Sequence, residues 1–335
     1  MSVKIGINGF GRIGRNTFRA LQGNQTVQIA AVNDLTDNAT LAHLLKYDSM
    51  YGKFPYEVAL EGDNLRVEGR EVKILAEALP EKLPWRELGV EVVLEATGKF
   101  RTHAEASRHL QGGAKKVIVT TPVNDADIIM VLGLNQQQYD PDKHQIISNA
   151  SCTTNALAPV VKVLQENFGI RKGLMNTTHS YTNDQRLLDL PHPDLRRARA
   201  AQLSMIPTTT GAAKIIGKIM PELAGKIDGF AVRVPTPTVS IVDFVAELER
   251  SATPAQINQA FKAAAAGELQ GILAYSEEPL VSIDYKGSPY SSTVDSLLTM
   301  VIGENLIRVV SWYDNEWGYS HRVADLAVLV AQQEL

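Results

Sequence analysis

One cysteine in 335 residues, Cys152, excludes an intramolecular disulfide and a multi-thiolate zinc site, so stability must come from packing. No apolar run approaches the roughly twenty residues that span a bilayer. The N-terminal "MSVKIGINGFGRIG" lacks an apolar stretch followed by a small-residue cleavage site, and a cytoplasmic location is expected. No excess of positive charge is present either. The formal net charge is −4, which gives nucleic-acid binding by the whole surface no support. Repeats and low-complexity segments are absent, and no clustering of residues points to a metal. What remains, 44% hydrophobic and 21% charged residues, is the composition of an ordinary globular protein large enough for two domains.

The two halves of the chain read differently. Up to about residue 150, apolar β-rich runs at 3–8, 27–33, 90–97, 115–121 and 127–134 alternate with helical patterns at 12–22, 37–47 and 102–111. That alternation predicts a doubly wound parallel sheet covered on both faces. From about 171 the runs lengthen and a hairpin is expected at "GEN", giving a mixed or antiparallel sheet with helices on one side. A helix is predicted over 254–266, with Thr253 as N-cap, Pro254 in the first turn and Gly267 as the stop. The stretch 318–333 reads as a terminal amphipathic helix. The fold class expected is α/β, a Rossmann-type sheet domain followed by an α+β domain.

Two chemical signatures sit on that frame. "INGFGRIGRNTF" puts Gly9, Gly11 and Gly14 in GxGxxG spacing between a strand and a helix, a turn that lets backbone approach a pyrophosphate at a helix N-terminus. Asp34 closes the second strand, where a carboxylate takes ribose hydroxyls and repels a 2′-phosphate, so NAD is favoured over NADP. Cys152, in "NASCTTNALAP", precedes a helical pattern, and a thiol at a helix start has its pKa lowered and becomes a nucleophile. Pro159 sits awkwardly inside that pattern and leaves an irregular start open. His179, in a separate strand-like segment, is the histidine that could serve as base. Each has a plainer reading, a buried apolar thiol and a structural imidazole. A cysteine hydrolase is a rival that the glycine turn opposes.

"INGFGRIGR", "SNASCTTN", "HSYTNDQ", "DLRRARA", "IPTTTGAAK", "RVPTP" and "WYDNEWGYS" occur in order over the entire chain, which in them resembles the phosphorylating glyceraldehyde-3-phosphate dehydrogenases. The resemblance implies NAD-dependent oxidation of glyceraldehyde 3-phosphate to an acyl phosphate through a cysteine thioester, in a homotetramer. It implies a cofactor domain over 1–151, joined by the C-terminal helix 315–335, and a catalytic domain over 152–314. It makes Cys152 the nucleophile and His179 its base. Arg12 and Ile13 would meet the pyrophosphate, Thr120 the adenosine side, and Asn315 the nicotinamide carboxamide. Thr182 and Arg233 would hold the substrate's phosphate. Ser151, Thr153, Arg197, Thr210 and Gly211 would receive inorganic phosphate, for which arginine forks and hydroxyls are suited. Departures are Ala156, where many relatives have a second cysteine, and Ala78, where a basic residue often faces the adenine. Leu190 and Pro191 agree with Asp34 in leaving little room for NADP. Erythrose-4-phosphate dehydrogenase is the nearest alternative, though the phosphate-loop segments keep the glyceraldehyde-phosphate form.

Overall fold

The structure, a computed structural model, describes residues 2–333. It divides into two compact units. The first comprises 1–130, 136–150 and 320–335, and the second comprises 131–135 and 151–319. Against the expected boundaries, the segment 131–135, Ser151 and residues 315–319 group with the second unit, and the terminal helix joins the first only from Ser320.

In the first unit β1 (Val3–Asn8), α1 (Arg12–Ala20), β2 (Val27–Asn33) and α2 (Asn38–Lys46) follow one another. Next come β3 (Tyr47–Asp48), β4 (Gly52–Lys53), β5 (Val58–Glu61), β6 (Asn64–Val67) and β7 (Arg70–Leu75). After them lie α3 (Trp85–Leu88), β8 (Val92–Glu95), α4 (His103–Ala106), α5 (Arg108–Gln111), β9 (Lys116–Val119), β10 (Ile128–Ile129) and β11 (Ile146–Ser148). The sheet order is β10-β11-β9-β8-β1-β2-β7-β6-β5, parallel from β10 to β7 and antiparallel at the β5–β6 edge. Strand β1 therefore lies where the chain switches direction along the sheet, between β2 and β8. Ligands of such sheets bind at the carboxyl ends of the strands there. The eight-residue β-rich reading at 127–134 shrinks to β10, because Val131 turns back and its N–H bonds the Asn135 side chain.

The second unit opens with α6 (Cys152–Phe168), then β12 (Ile170–Ser180), β13 (Ile206–Thr209), α7 (Ala212–Ile219), β14 (Ile227–Val234) and β15 (Ser240–Leu248). It continues with α8 (Pro254–Ala266), β16 (Leu273–Ser276), β17 (Ser292–Asp295), β18 (Met300–Ile302) and β19 (Leu306–Tyr313); α9 (Trp317–Gln332) starts here and belongs to the first unit from Ser320. The sheet order is β13-β14-β12-β15-β19-β17-β16, with β18 beside β19. Parallel β12–β14 and β16–β17 pairs among antiparallel ones make the sheet mixed. The fold is thus α/β, a parallel-rich sheet in one unit and a mixed sheet in the other. Helix α8 has the expected ends: Thr253 accepts from Gln256 N–H, and Gln256 reaches back to the Thr253 N–H. No helix of the described residues is long and apolar enough to cross a membrane.

Candidate functional site

Each unit carries a polar cluster at the end of its sheet. In the first, the chain leaves β1 through Gly9, whose φ of +91° and closeness to Thr97 admit no side chain; a Cβ would stand 2.5 Å from the Thr97 nitrogen. At Gly14 a Cβ would meet the Gly9 carbonyl oxygen at 2.1 Å, so this glycine packs helix against turn. Gly11 is different. A Cβ there would touch no protein atom, so packing within the chain does not require the glycine. It is also the N-cap of α1 and gives that helix no side-chain cap. An open, uncapped helix start suits a phosphate group.

Asp34 is held in place by two backbone donors. Its Oδ2 accepts the Phe10 N–H at 2.9 Å and its Oδ1 the Thr36 N–H at 3.0 Å. A cavity of about 260 Å³ is lined by Asn8, Gly11, Asp34, Ala78, Thr97 and Phe100 among others. This cradle fits the adenosine half of a dinucleotide. Thr120 is buried, its hydroxyl donating to the Glu95 carbonyl at 3.1 Å. Arg12 and Ile13 form the first turn of α1, and the Arg12 side chain is turned onto Asp48 in a two-pronged ion pair at 2.9 and 3.3 Å.

In the second unit Cys152 is the first residue of α6, with Ser151 capping the helix by accepting the Thr154 N–H at 3.0 Å. The helix runs unbroken through Pro159. It is buried along most of its length, and that packing offsets the hydrogen bond the proline omits. The sheet then gathers distant residues by register. His179 of β12 pairs with Arg233 of β14, and Ser240 of β15 pairs with Tyr313 of β19. The Cys152 Sγ lies 3.5 Å from His179 Nε2. The other ring nitrogen, Nδ1, lies 2.7 Å from the Ser180 carbonyl oxygen, and the tautomer that donates Nδ1–H to that carbonyl turns the Nε2 lone pair to sulfur. Arg233 Nη1 donates to the same carbonyl at 3.1 Å and comes within 2.5 Å of Nδ1.

The electrostatics correct one expectation. Burial pushes the Cys152 thiol up from its ordinary value, and the Arg233 charge only partly opposes it. Burial, reinforced by Arg233, pushes His179 down to about 3. The expected lowering of the thiol by the helix start and histidine is outweighed by desolvation. Both shifts favour the neutral forms of the pair.

The remaining expected residues of this unit divide by engagement. Arg197 donates to Asp184 at 2.5 Å and to the Thr208 hydroxyl at 2.8 Å. Thr153 is bonded to the Tyr313 hydroxyl at 3.0 Å, and Ser151 to the Thr154 hydroxyl at 2.8 Å. A hydroxyl can make more than one such bond, so neither is withdrawn from a ligand. Thr210 accepts the Ala212 N–H, and Gly211 is the N-cap of α7. Thr182 is half-buried just after β12. Asn315 Oδ1 accepts from Ser180 and Ser240 hydroxyls at 2.8 and 3.0 Å, an arrangement that presents its Nδ2 as donor. Leu190 and Pro191 lie on an exposed segment of this unit, Leu190 with 59% of its surface in solvent.

Sequence reasoning missed Tyr313. Its ring meets that of His179 edge-on with centroids 5.9 Å apart, and its hydroxyl joins Thr153 and Thr177 at 3.0 and 2.9 Å. Burial pushes this phenol up, so it stays protonated. Ser180, Ser240 and Asp184 were missed too, because each acts through a partner far away in sequence.

Comparison with known proteins adds the family. Residues 3–103 match the model described as glyceraldehyde 3-phosphate dehydrogenase, NAD binding domain, and residues 151–315 the model of the same name's C-terminal domain. The chain is 62% identical over 335 residues to the glyceraldehyde-3-phosphate dehydrogenase of Geobacillus stearothermophilus, all of both chains being covered. It is 57% identical over 335 residues to glyceraldehyde-3-phosphate dehydrogenase 1 of Bacillus subtilis, again over the full length of both. It is 57% identical to the corresponding Mycobacterium bovis protein, with 99% of each covered.

Proposed function

The chain belongs to the glyceraldehyde-3-phosphate dehydrogenase family, and on that premise we propose how its residues divide the work. It is an NAD-dependent glyceraldehyde-3-phosphate dehydrogenase of glycolysis, and nothing favours the erythrose-4-phosphate reading. The observation that carries the residue assignment is the Cys152–His179 pair, a thiol at the start of a buried helix 3.5 Å from an imidazole nitrogen.

Our reading of the chemistry follows from the neutral resting state. As Sγ bonds to the aldehyde carbon, His179 Nε2 takes the thiol proton and the carbonyl electron pair moves to oxygen. The orphan N–H groups at the start of α6 and the protonated imidazole stabilise that oxyanion. Bound NAD supplies the acceptor for the hydride that leaves this carbon. The oxyanion's lone pair re-forms the C=O as the hydride leaves, giving a thioester on Cys152, and the proton stays on His179 until the departing thiolate takes it back. An oxygen of inorganic phosphate then attacks the thioester carbon, the C–S bond breaks, and the thiolate leaves an acyl phosphate. Arg233 and Thr182 are assigned to the substrate's phosphate. Arg197, Thr210, Gly211, Ser151 and Thr153 are assigned to the attacking phosphate. For the cofactor, Gly9, Gly11, Arg12, Ile13 and Gly14 are assigned to the pyrophosphate turn, Asp34 to the ribose, Thr120 to the adenosine side and Asn315 to the carboxamide.

A homotetramer in the cytoplasm is part of this reading. Leu187, Leu188, Leu195, Leu203 and Met205 are each more than two-thirds exposed along one segment of the second unit, and Leu174, Phe230 and Ile302 stand exposed on its sheet. Patches of that kind are partner surfaces in soluble proteins.

The test is phosphate-dependent NAD reduction followed at 340 nm with glyceraldehyde 3-phosphate. Steady turnover should require inorganic phosphate, and a single burst of NADH should remain without it. Turnover indifferent to phosphate overturns the thioester assignment.

A further inference from the structure

The first unit buries a carboxyl–imidazole pair that the reaction above does not use. Glu95, the last residue of β8, and His109, on α5, have no exposed side-chain surface, and their Oε2 and Nε2 lie 3.0 Å apart. The Trp85 indole N–H donates to His109 Nδ1 at 3.0 Å. Because an indole only donates, Nδ1 is an acceptor, and the ring proton sits on Nε2, pointing at Glu95. Other donors converge on the same carboxylate. Asn8 Nδ2 donates at 2.5 Å, the Thr97 N–H at 2.8 Å, and the Thr97 hydroxyl makes a further bond. A group that receives only donors must be an acceptor on both oxygens, which the ionised carboxylate is.

The far side of this network is the cofactor cradle. Asn8 Oδ1 accepts from Asn33 Nδ2 at 2.7 Å. Asn33 in turn pins the backbone of Glu77, accepting its N–H at 2.9 Å and donating to its carbonyl at 2.8 Å. Asn8, Asn33, Glu77 and Thr97 all line the cavity that also contains Asp34. Thr97 further abuts Gly9, so whatever fixes the Thr97 peptide also fixes the glycine turn.

We propose that Glu95, oriented by His109, is a positioning residue for the adenosine half of the cofactor, preforming the pocket through Asn8, Asn33 and Thr97. The proposal rests on assigning that cavity to adenosine. A buried carboxylate carries a large desolvation cost, and hydrophobic residues of the same size would serve packing at least as well. What they would not do is hold three polar side chains in fixed directions. Preorganisation of this kind improves affinity by lowering the ordering cost on binding.

The test compares wild type with Glu95→Gln, His109→Gln and His109→Leu, using AMP and NAD as ligands in calorimetry. Glu95→Gln should weaken AMP and NAD by the same factor, about tenfold, the loss expected for a hydrogen bond to a charged group. In steady state the effect should fall on KM for NAD and not on kcat. His109→Gln, which still offers an N–H donor, should retain affinity that His109→Leu loses. A folded Glu95→Gln protein that binds AMP like wild type overturns the proposal, even if its melting temperature is lower. If Glu95→Gln does not fold, the histidine pair decides alone, and equal AMP affinity in the two variants overturns it. Failure of the pocket assignment has a separate sign: Asp34→Asn would leave AMP affinity unchanged.

Discussion

The cofactor cradle and the thiol centre are built by different means. The first is a turn between adjacent elements: Gly9, Gly11, Gly14 and Asp34 fall within 26 residues of one another, and backbone geometry does most of the shaping. The second is a convergence of side chains from α6, β12, β14 and β19, brought together by strand register. A local turn tolerates little at its glycines. A convergent centre instead depends on which side chain faces which across the sheet, and its charges tune one another. Mutations should therefore separate the two regions, with binding of NAD failing in one and bond-making chemistry in the other.

The sharpest separation is expected from Cys152→Ser. An alkoxide is far harder to form than a thiolate, and the site that already keeps the thiol neutral gives a hydroxyl no help. Turnover should fall by roughly three orders of magnitude or more, while NAD affinity in calorimetry stays as in wild type. Loss of NAD binding in the same variant would mean that the two regions are not separable at all.

How much of each region could be read from the sequence follows the same division. The β1–α1–β2 unit with its glycines and Asp34 was readable because each signal lies within a few residues of the next. So was α8, whose Thr253 cap and Pro254 are local. The antiparallel β5–β6 edge escaped because strands of only four residues carry too short a pattern to stand out. Helix α7 escaped because glycines stand at its cap and inside it, Gly217 being there since a Cβ would sit 3.0 Å from the Ala224 Cα. Cys152 and His179 were found as candidates, but their 3.5 Å approach was not, nor was Tyr313 between Thr153 and Thr177. Glu95 looks in sequence like any charge at a strand end. Those roles exist only once cross-strand neighbours are known.

Arg233 tests the convergent region next. By the family resemblance Arg233 acts mainly on the substrate's phosphate, so that removing it barely affects an unphosphorylated aldehyde. Its position 2.5 Å from His179 Nδ1 changes that expectation. Arg233→Ala should cost about 1.5–3 kcal/mol with glyceraldehyde 3-phosphate, one to two orders of magnitude. A smaller loss should also appear with an unphosphorylated aldehyde. The sign of the pH effect is set by charge. Arg233 lowers both Cys152 and His179, so its removal raises both. His179 stays neutral at pH 7 because burial is the larger cause of its low value, whereas the thiol becomes harder to ionise. Alkylation of Cys152 followed against pH should therefore shift to higher pH in Arg233→Ala. An unmoved alkylation profile would return Arg233 to phosphate binding alone.

Gly11→Ala should give the smallest effect, and it sharpens what the cradle is for. Gly14 is a poor probe, since a methyl there collides with the Gly9 carbonyl and would report the packing of the turn. At Gly11 the added Cβ meets no protein atom, and its φ of −73° and ψ of −159° lie in the extended region open to alanine. The fold has no reason to object. If the space above Gly11 serves the pyrophosphate, the methyl intrudes on the ligand alone and weakens NAD by about fivefold, roughly 1 kcal/mol. AMP, which carries no pyrophosphate, should be weakened less. The melting temperature without ligand should match wild type, because no buried contact is made or lost. Equal weakening of AMP and NAD would show that the methyl acts on the adenosine side, and the pyrophosphate would then have to enter elsewhere along the helix start.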